Sequence, residues 1–427
     1  MIEFPTIFRL RQKFDTETIS DIPAVVRKQL DDVGVAQRVR PGETVAITAG
    51  SRGIANIHLV IKAIAAHLQS IGAKPFIVPA MGSHGGGTAE GQREIVENYG
   101  ITEEFTGCPI QSSMETVIVC RTEEGIPVHF DKFAYEADHV VVCGRVKPHT
   151  GFIGEIESGL MKMMLIGLGK HEGAKIYHRA IQNYSFGQIV RSVASRILEN
   201  CGIVAGVAIV ENGYDETAKI QAVAADEFED REKELLVLAK KWMPKLPFDD
   251  VDVLLVDEIG KNISGSGMDT NVIGRKHHDH KALADETPKV KRIAVRGLTE
   301  ITHGNACGIG MAEFATARAI SQVNMEITRI NALTGGHPTA AMLPLSYESD
   351  REILDAALPT IGLTEPQDAR LLWIPNTLNL AEVECGAAYL KDARERSDLE
   401  ILGEPRDLPF DERGDLRPLF ESPVGVH

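Results

Sequence analysis

Thr44-Val-Ala-Ile-Thr48, Ala49-Gly-Ser-Arg-Gly53, the span Ile57 to Ile71, Lys74-Pro-Phe-Ile-Val-Pro79 and Gly82-Ser-His-Gly-Gly-Gly87 follow one another in this chain. They read as a strand, a turn, an amphipathic helix, a second strand and its exit loop. Thr88-Ala-Glu-Gly-Gln92 then opens another helix, with Thr88 as its N-cap. His139 to Cys143 reads as a buried strand that runs into Lys147-Pro-His149, and Ile203 to Val210 as one more before the turn Glu211-Asn-Gly-Tyr214. Apolar strand-like runs alternating with helical patterns predict the α/β class.

A chain of 427 residues is too long for a single hydrophobic core. The two prolines and the charges of Trp242-Met-Pro-Lys-Leu-Pro-Phe248 mark a boundary. The expected domains are 1–245, N-terminal and catalytic, and 246–427, C-terminal. Val251 to Val256 begins the second α/β unit, which ends near Leu372-Trp-Ile-Pro375, and the tail after Gly403 reads as extended. The expected fold is two α/β domains with mixed or parallel sheets and an active site in the cleft between them.

The hydrophobic fraction of 43% and charged fraction of 25% are those of a globular protein. A formal charge of −16 argues against nucleic-acid or anionic-membrane partners. Met1 to Leu10 lacks a secretory apolar region, and no apolar run approaches the ~20 residues that span a bilayer. A cytoplasmic protein is expected. Cys108, Cys120, Cys143, Cys201, Cys307 and Cys385 form no CxxC pair, so reduced core thiols are expected rather than a cysteine metal site.

Ligands of open α/β sheets gather at the carboxyl ends of strands, and both His84 and His149 sit there on this reading. Two imidazoles, with an ordinary pKa of roughly 6.5, can form an acid/base pair. The His84 loop reads equally as a plain turn or as a backbone nest around Gly85 that holds an anion. In Lys147-Pro-His149-Thr-Gly151 the proline stiffens the approach and the glycine lets a ligand come near. Lys162, within Gly159-Leu-Met-Lys-Met-Met-Leu-Ile166, is either a desolvated nucleophilic amine or a lysine that snorkels out of an apolar helix. His178, in the helical-looking Tyr177-His-Arg-Ala180, is either a metal ligand or a surface histidine.

The Ser51-Arg52-Gly53 turn reads as a phosphate or carboxylate site, or as an ordinary strand-to-helix turn. The loop Lys261 to Asp269 could close over a ligand, with Lys261 or Arg275 meeting an anionic group; Thr302-His303-Gly304-Asn305 is a loop of the same kind. His277-His278-Asp279-His280 has metal-like composition, but consecutive side chains diverge, so a loop is expected.

Taken in order, the Ser-Arg turn, the Gly-x-His loop, the Pro-His loop, the lysine and the histidine sixteen residues beyond it resemble the nickel-pincer-nucleotide-dependent lactate racemase family over nearly the whole chain. The resemblance implies nickel held by a pyridinium-3-thioamide-5-thiocarboxylate mononucleotide, linked covalently to Lys162, with His178 as a further nickel ligand. It makes His84 and His149 the acid/base pair. It places Ser51, Arg52 and Gly85 at the cofactor, and it gives Arg52, Lys261 or Arg275 the substrate carboxylate. The implied reaction inverts C2 of a small-molecule 2-hydroxy acid by hydride transfer to that cofactor, which other enzymes would build in transient contact with this chain. Glu155 and Glu157 lie between His149 and Lys162, and an acidic stretch near a pocket disfavours a second carboxylate on the substrate. Two other classes use the same residues. One is a non-redox divalent-metal hydro-lyase with His84, His149 and His178 as ligands. The other is a non-catalytic carrier of the cofactor.

Overall fold

The computed structural model describes residues 2–14, 17–51, 53–181 and 183–419, with the side chain of His178 left aside. Two compact units result, one of residues 16–243 and one joining residues 1–15 to 244–426. The boundary at 243/244 lies beside the expected break. Residues 1–15 go with the later unit because strand β1 (Ile7–Gln12) pairs there.

In the first unit, β2 (Thr44–Ala49), β3 (Lys74–Pro79), β6 (His139–Arg145), β7 (Ile203–Glu211) and β8 (Thr217–Ala224) form one sheet in the order β3-β2-β6-β7-β8. The first four are parallel and β8 returns antiparallel along the edge. A separate ribbon pairs β4 (Thr116–Arg121) with β5 (Pro127–Asp131). Both sheet faces are covered, which is why these strands read as apolar runs without alternation. Val45, Ile47, Val141 and Cys143 pack against helices Ile22–Asp32 and Ile57–Ser70. Ala46, Val140 and Val142 face the opposite core, with helices Phe186–Asn200 and Phe228–Trp242. The period-two switch between cores is the pleat itself. Cys143 is a core thiol, and burial alone pushes it up to about 12.

In the second unit, β9 (Asp250–Val256), β10 (Lys289–Val295), β11 (Phe314–Thr316), β12 (Leu345–Tyr347), β13 (Leu371–Ile374), β14 (Glu382–Gly386) and β15 (Leu399–Ile401) join β1. Their order is β12-β11-β10-β9-β13-β14-β1-β15. The run from β12 to β13 is parallel, and β14, β1 and β15 are antiparallel additions. The carboxyl ends of β9 and β10 carry Asp257 and Arg296. Buried Arg296 pairs with Asp257, with Asp350 at 2.8 Å and with the Leu416 carbonyl, while Leu419 N–H donates to Asp257 at 2.8 Å. The chain's own residues 416–419 therefore close those strand ends.

Candidate active site

β2 lies between β3 and β6, so the segments leaving these three strands emerge at one edge, with the outer two about 10 Å apart at ~4.8 Å per strand. The Ala80 N–H extends the β2–β3 ladder to Ala49 O at 2.7 Å. Ser51 and His84 then leave adjacent strands and meet, with Ser51 Oγ 2.8 Å from His84 Nδ1. The Tyr99 hydroxyl donates to Ser51 O at 3.0 Å and fixes that turn. Arg52, expected at the cofactor and the substrate, lies outside the described residues.

The loop after His84 bends through Gly85, Gly86 and Gly87, all left-handed at φ 63°, 66° and 66°. At Gly85 the requirement is also spatial, because a Cβ would fall 2.4 Å from the Gly91 carbonyl carbon. The helix Ala89–Asn98 follows, with Thr88 Oγ1 accepting the Gly91 N–H at 3.1 Å as expected of its N-cap. A buried lysine absent from the sequence reading anchors this loop from below. Lys170 Nζ donates to Pro79 O at 2.5 Å and to Gln92 Oε1 at 3.1 Å, and lies 3.2 Å from Asp131. Gln92 in turn donates to Met81 O and Gly82 O. Lys170 adopts a left-handed φ of 54°, a strained backbone retained by this network. Burial lowers its pKa, against the opposing pull of Asp131.

His149 stands past the end of β6, half-buried. Its backbone N–H donates to Glu157 Oε2 at 2.8 Å, and its Nδ1 accepts the Gly151 N–H at 2.9 Å. Its ring stacks on Phe152, with centroids 4.1 Å apart and planes 18° apart, and Phe152 stacks on Phe186 at 4.4 Å and 8°. Glu157 is fully buried and paired with Lys240 at 2.5 Å. Glu155 is exposed and pairs with Arg191 at 2.7 Å. The expected acidic lining is therefore absent as a free charge: one carboxylate is a buried tie beneath His149 and the other an exposed ion pair.

Lys162 ends the short helix Leu160–Lys162 and enters a wider turn of π geometry, Met163–Gly167. Such turns recur at functional sites. Met163 lies between the ends of β2 and β6; a Cβ on Gly144 would meet its Cγ at 2.8 Å, and one on Gly50 its Cε at 3.5 Å. This packing sets the half-buried Lys162 turn against the same sheet edge. Buried Glu232 accepts the Met161 N–H at 2.9 Å and so caps that turn. Burial raises its carboxyl from 4.5 to about 8, with the Met161 and Leu160 N–H groups opposing. His178 lies on the helix Lys170–Ala180, its side chain outside the described residues.

The second unit holds the other expected contacts. Lys261 Nζ donates to Gly265 O at 2.5 Å within its own loop. Buried Arg275 pairs with Glu313 at 2.9 Å and donates to the carbonyls of Met311 and Asp279. Arg275 is thus an internal tie of this unit rather than a guanidinium presented to a substrate carboxylate. Asp279 pairs with His337 at 2.7 Å, and His278 Nδ1 accepts the His280 N–H. Among the described residues no three His, Cys, Asp or Glu side chains converge as a metal site, and no helix is long and apolar enough to cross a membrane.

A doubly covered, mostly parallel sheet, with histidine loops at the exits of β3 and β6 and a lysine turn packed where β2 and β6 end, defines this α/β domain. Residues 9–187 match the lactate racemase N-terminal domain. The match takes in Ser51, His84, His149, Lys162 and His178, but not Lys261 or Arg275. The lactate racemase apoprotein of Thermoanaerobacterium thermosaccharolyticum has a similar fold, with a TM-score of 0.51 at 12% identity, covering 88% of this chain and 94% of that one. A Thermotoga maritima protein is similar at TM-score 0.50 and 13% identity, covering 83% of this chain and 96% of its own. At such identities the likeness is one of fold. No curated protein sequence matches the chain.

Proposed function

We propose that this protein is a racemase or epimerase that inverts C2 of a 2-hydroxy acid, using a nickel-pincer nucleotide carried on Lys162. The observation that supports it most is the shared sheet edge. There the loops of Ser51, His84 and His149 leave neighbouring parallel strands and the Lys162 turn packs where β2 and β6 end, all within the stretch that matches the lactate racemase N-terminal domain.

The residues fit such a group. An amine for covalent attachment sits on a turn that Glu232 and Met163 hold in place. His84 and His149 stand on the exits of β3 and β6, the strands that flank β2, and His178 on the helix Lys170–Ala180 is the nickel ligand of this reading. When bound, the cofactor supplies a hydride acceptor, a chemistry that side chains lack. His84 and His149, on loops leaving the two strands that flank β2, would manage the proton of the substrate hydroxyl from either side. Arg52, beside Ser51 in sequence, would orient the carboxylate. Glu157 and Glu232 touch no substrate on this reading; they keep the His149 loop and the Lys162 turn in register.

The test is the intact mass of the chain produced together with the cofactor-building enzymes and nickel, with the modified peptide mapped. An adduct on Lys162, followed by inversion of a 2-hydroxy acid in a chiral assay, is the expected outcome. An unmodified chain beside a racemase control that loads would refute the reading and favour a hydro-lyase that binds a divalent metal directly. An adduct with no inversion of any 2-hydroxy acid would favour a cofactor carrier.

A further inference from the structure

His171, which no step above uses, stands in the first turn of the helix Lys170–Ala180, its Nδ1 enclosed by the fold and without a hydrogen-bond partner. A ring nitrogen closed off from water and left unpaired costs stability that only a partner restores. The ring as a whole is half-buried, so a ligand can still reach it. An α-helix turns about 100° per residue, and His171, Ala174 and His178 therefore share one side of this helix. Ala174 packs on the His84 loop, where a Cβ on Gly82 would lie 3.1 Å from its own. Lys170, the residue before His171, reaches beneath that loop to Pro79 O. The chain arrives there from the Lys162 turn through hydrogen-bonded turns: Leu168 N–H bonds Met163 O at 2.9 Å, and Gly169 N–H bonds Leu165 O at 3.1 Å. Along the helix axis His171 and His178 are two turns, or about 10 Å, apart.

We infer that His171 binds the phosphate of the mononucleotide, donating a hydrogen bond from Nδ1, with the cofactor laid along this side of the helix toward His178. This rests on the cofactor reading above and adds a contact to it. A phosphate oxygen only accepts, and Nδ1 donates to it both in the neutral Nδ1–H tautomer and in the cation. The first turn of a helix favours an anion, because its backbone N–H groups point out along the axis and carry the positive end of the dipole. Glu172, in the same turn, is exposed and has its charge paired with Lys175 at 2.7 Å. A mononucleotide separates its ring from its phosphate by a ribose, a length comparable with the two turns between the histidines.

The experiment titrates nicotinate mononucleotide, a pyridinium nucleotide that bears the phosphate, into the cofactor-free full chain labelled with 15N-histidine. Nicotinate riboside is the phosphate-free control, and a His171→Leu spectrum assigns the ring. The His171 Nδ1 signal is expected to move with the mononucleotide and to stay in place with the riboside. His171→Leu is expected to weaken mononucleotide binding by about 10–100-fold, the worth of one hydrogen bond to a charged group. His171→Asn, whose amide nitrogen stands where Nδ1 stood, is expected to retain it. Urea unfolding of the cofactor-free His171→Leu chain is expected at or above the wild-type midpoint, since the change removes an unpaired buried nitrogen. A histidine with a merely structural role would lower that midpoint. A His171 signal unmoved by the mononucleotide or moved equally by the riboside, an affinity unchanged in His171→Leu, or a lowered midpoint overturns the inference. None of these readouts needs nickel or the Lys162 adduct, so an absent adduct leaves the phosphate contact standing, and a failed contact leaves the adduct test standing.

Discussion

Glu232→Gln should remove a steep pH dependence from the stability of residues 16–243. The carboxyl is buried, with Oε2 accepting the Met161 N–H and Oε1 without a hydrogen-bond partner. Burial moves it from 4.5 to about 8. In the unfolded chain the group ionises near the ordinary value, whereas in the folded chain it keeps its proton until about pH 8. Between those limits the unfolded state binds fewer protons, so stability is greatest below about pH 4.5, falls as pH rises, and levels off above about pH 8. At 1.36 kcal/mol per pH unit the whole fall is about 5 kcal/mol. Glutamine keeps an oxygen for the Met161 N–H and has no proton to lose. Its unpaired amide adds a constant cost of about 1–3 kcal/mol. The wild type should therefore be the more stable near pH 5 and the variant near pH 9. Urea unfolding followed by Trp242 fluorescence, with Trp373 replaced by Phe in both proteins, reads this unit alone, because Trp242 lies on the same helix as Glu232. Parallel pH profiles for the two proteins would refute the reasoning.

His84→Gln and His149→Gln are each expected to lower inversion of a 2-hydroxy acid by about 10²–10⁴-fold while leaving the Lys162 adduct mass unchanged; unimpaired turnover in either removes that histidine from the site. Lys240→Met strands the buried Glu157 carboxylate. Because the Lys240 side chain is 42% exposed, the loss should be about 1–2 kcal/mol rather than the ~3–5 of a fully buried pair, read from urea midpoints. Gly159→Ala sets a Cβ 2.7 Å from the Glu232 carboxyl and 2.9 Å from Val146 Cγ2 at a φ of 119°. A loss of about 2–4 kcal/mol is expected in thermal unfolding, and a melting curve like the wild type would show that the turn has slack.

The central strands of the parallel sheets were legible where burial on two faces leaves an uninterrupted apolar run, as at Lys74–Pro79, found at its predicted bounds, and at Val251 to Val256, while the shorter strands Phe314–Thr316 and Leu345–Tyr347 were not. β1 was placed in the wrong company by sequence order. Its partners Glu382–Gly386 and Leu399–Ile401 lie at the other end of the chain, and pairing at that separation leaves no local signal. The same holds within the site. Glycine and proline announce the loops of His84 and His149, because backbone geometry is a local demand. Glu157 and Lys170 act through Lys240, Pro79 and Gln92, partners far away in sequence, so their residue types alone read as surface charge. Glu232 did leave a trace: it shares a helix face with Phe228, Leu235, Leu236 and Ala239, and a carboxyl on an apolar stripe marks a buried polar tie. Arg275 shows the reverse ambiguity, since an arginine near a glycine-rich loop serves a carbonyl cluster as well as an anion.

Three buried ionisable side chains lie beneath three segments of the same sheet edge: Lys170 under the exit of β3, Glu157 under His149 and Glu232 under the Lys162 turn. Buried charges are poor contributors to folding free energy, since desolvation offsets most of what their partners return. Each of these three bonds a backbone group within or just before a segment rich in glycine or of unusual helical geometry, where propensity fixes little. An apolar replacement could fill the same volume but could not hold a carbonyl or an N–H at a set position. Their value must then lie in register: they confine flexible loops to the geometry in which His84, His149 and Lys162 share one edge. That accounts for ionisable groups buried where an ordinary core would place leucine.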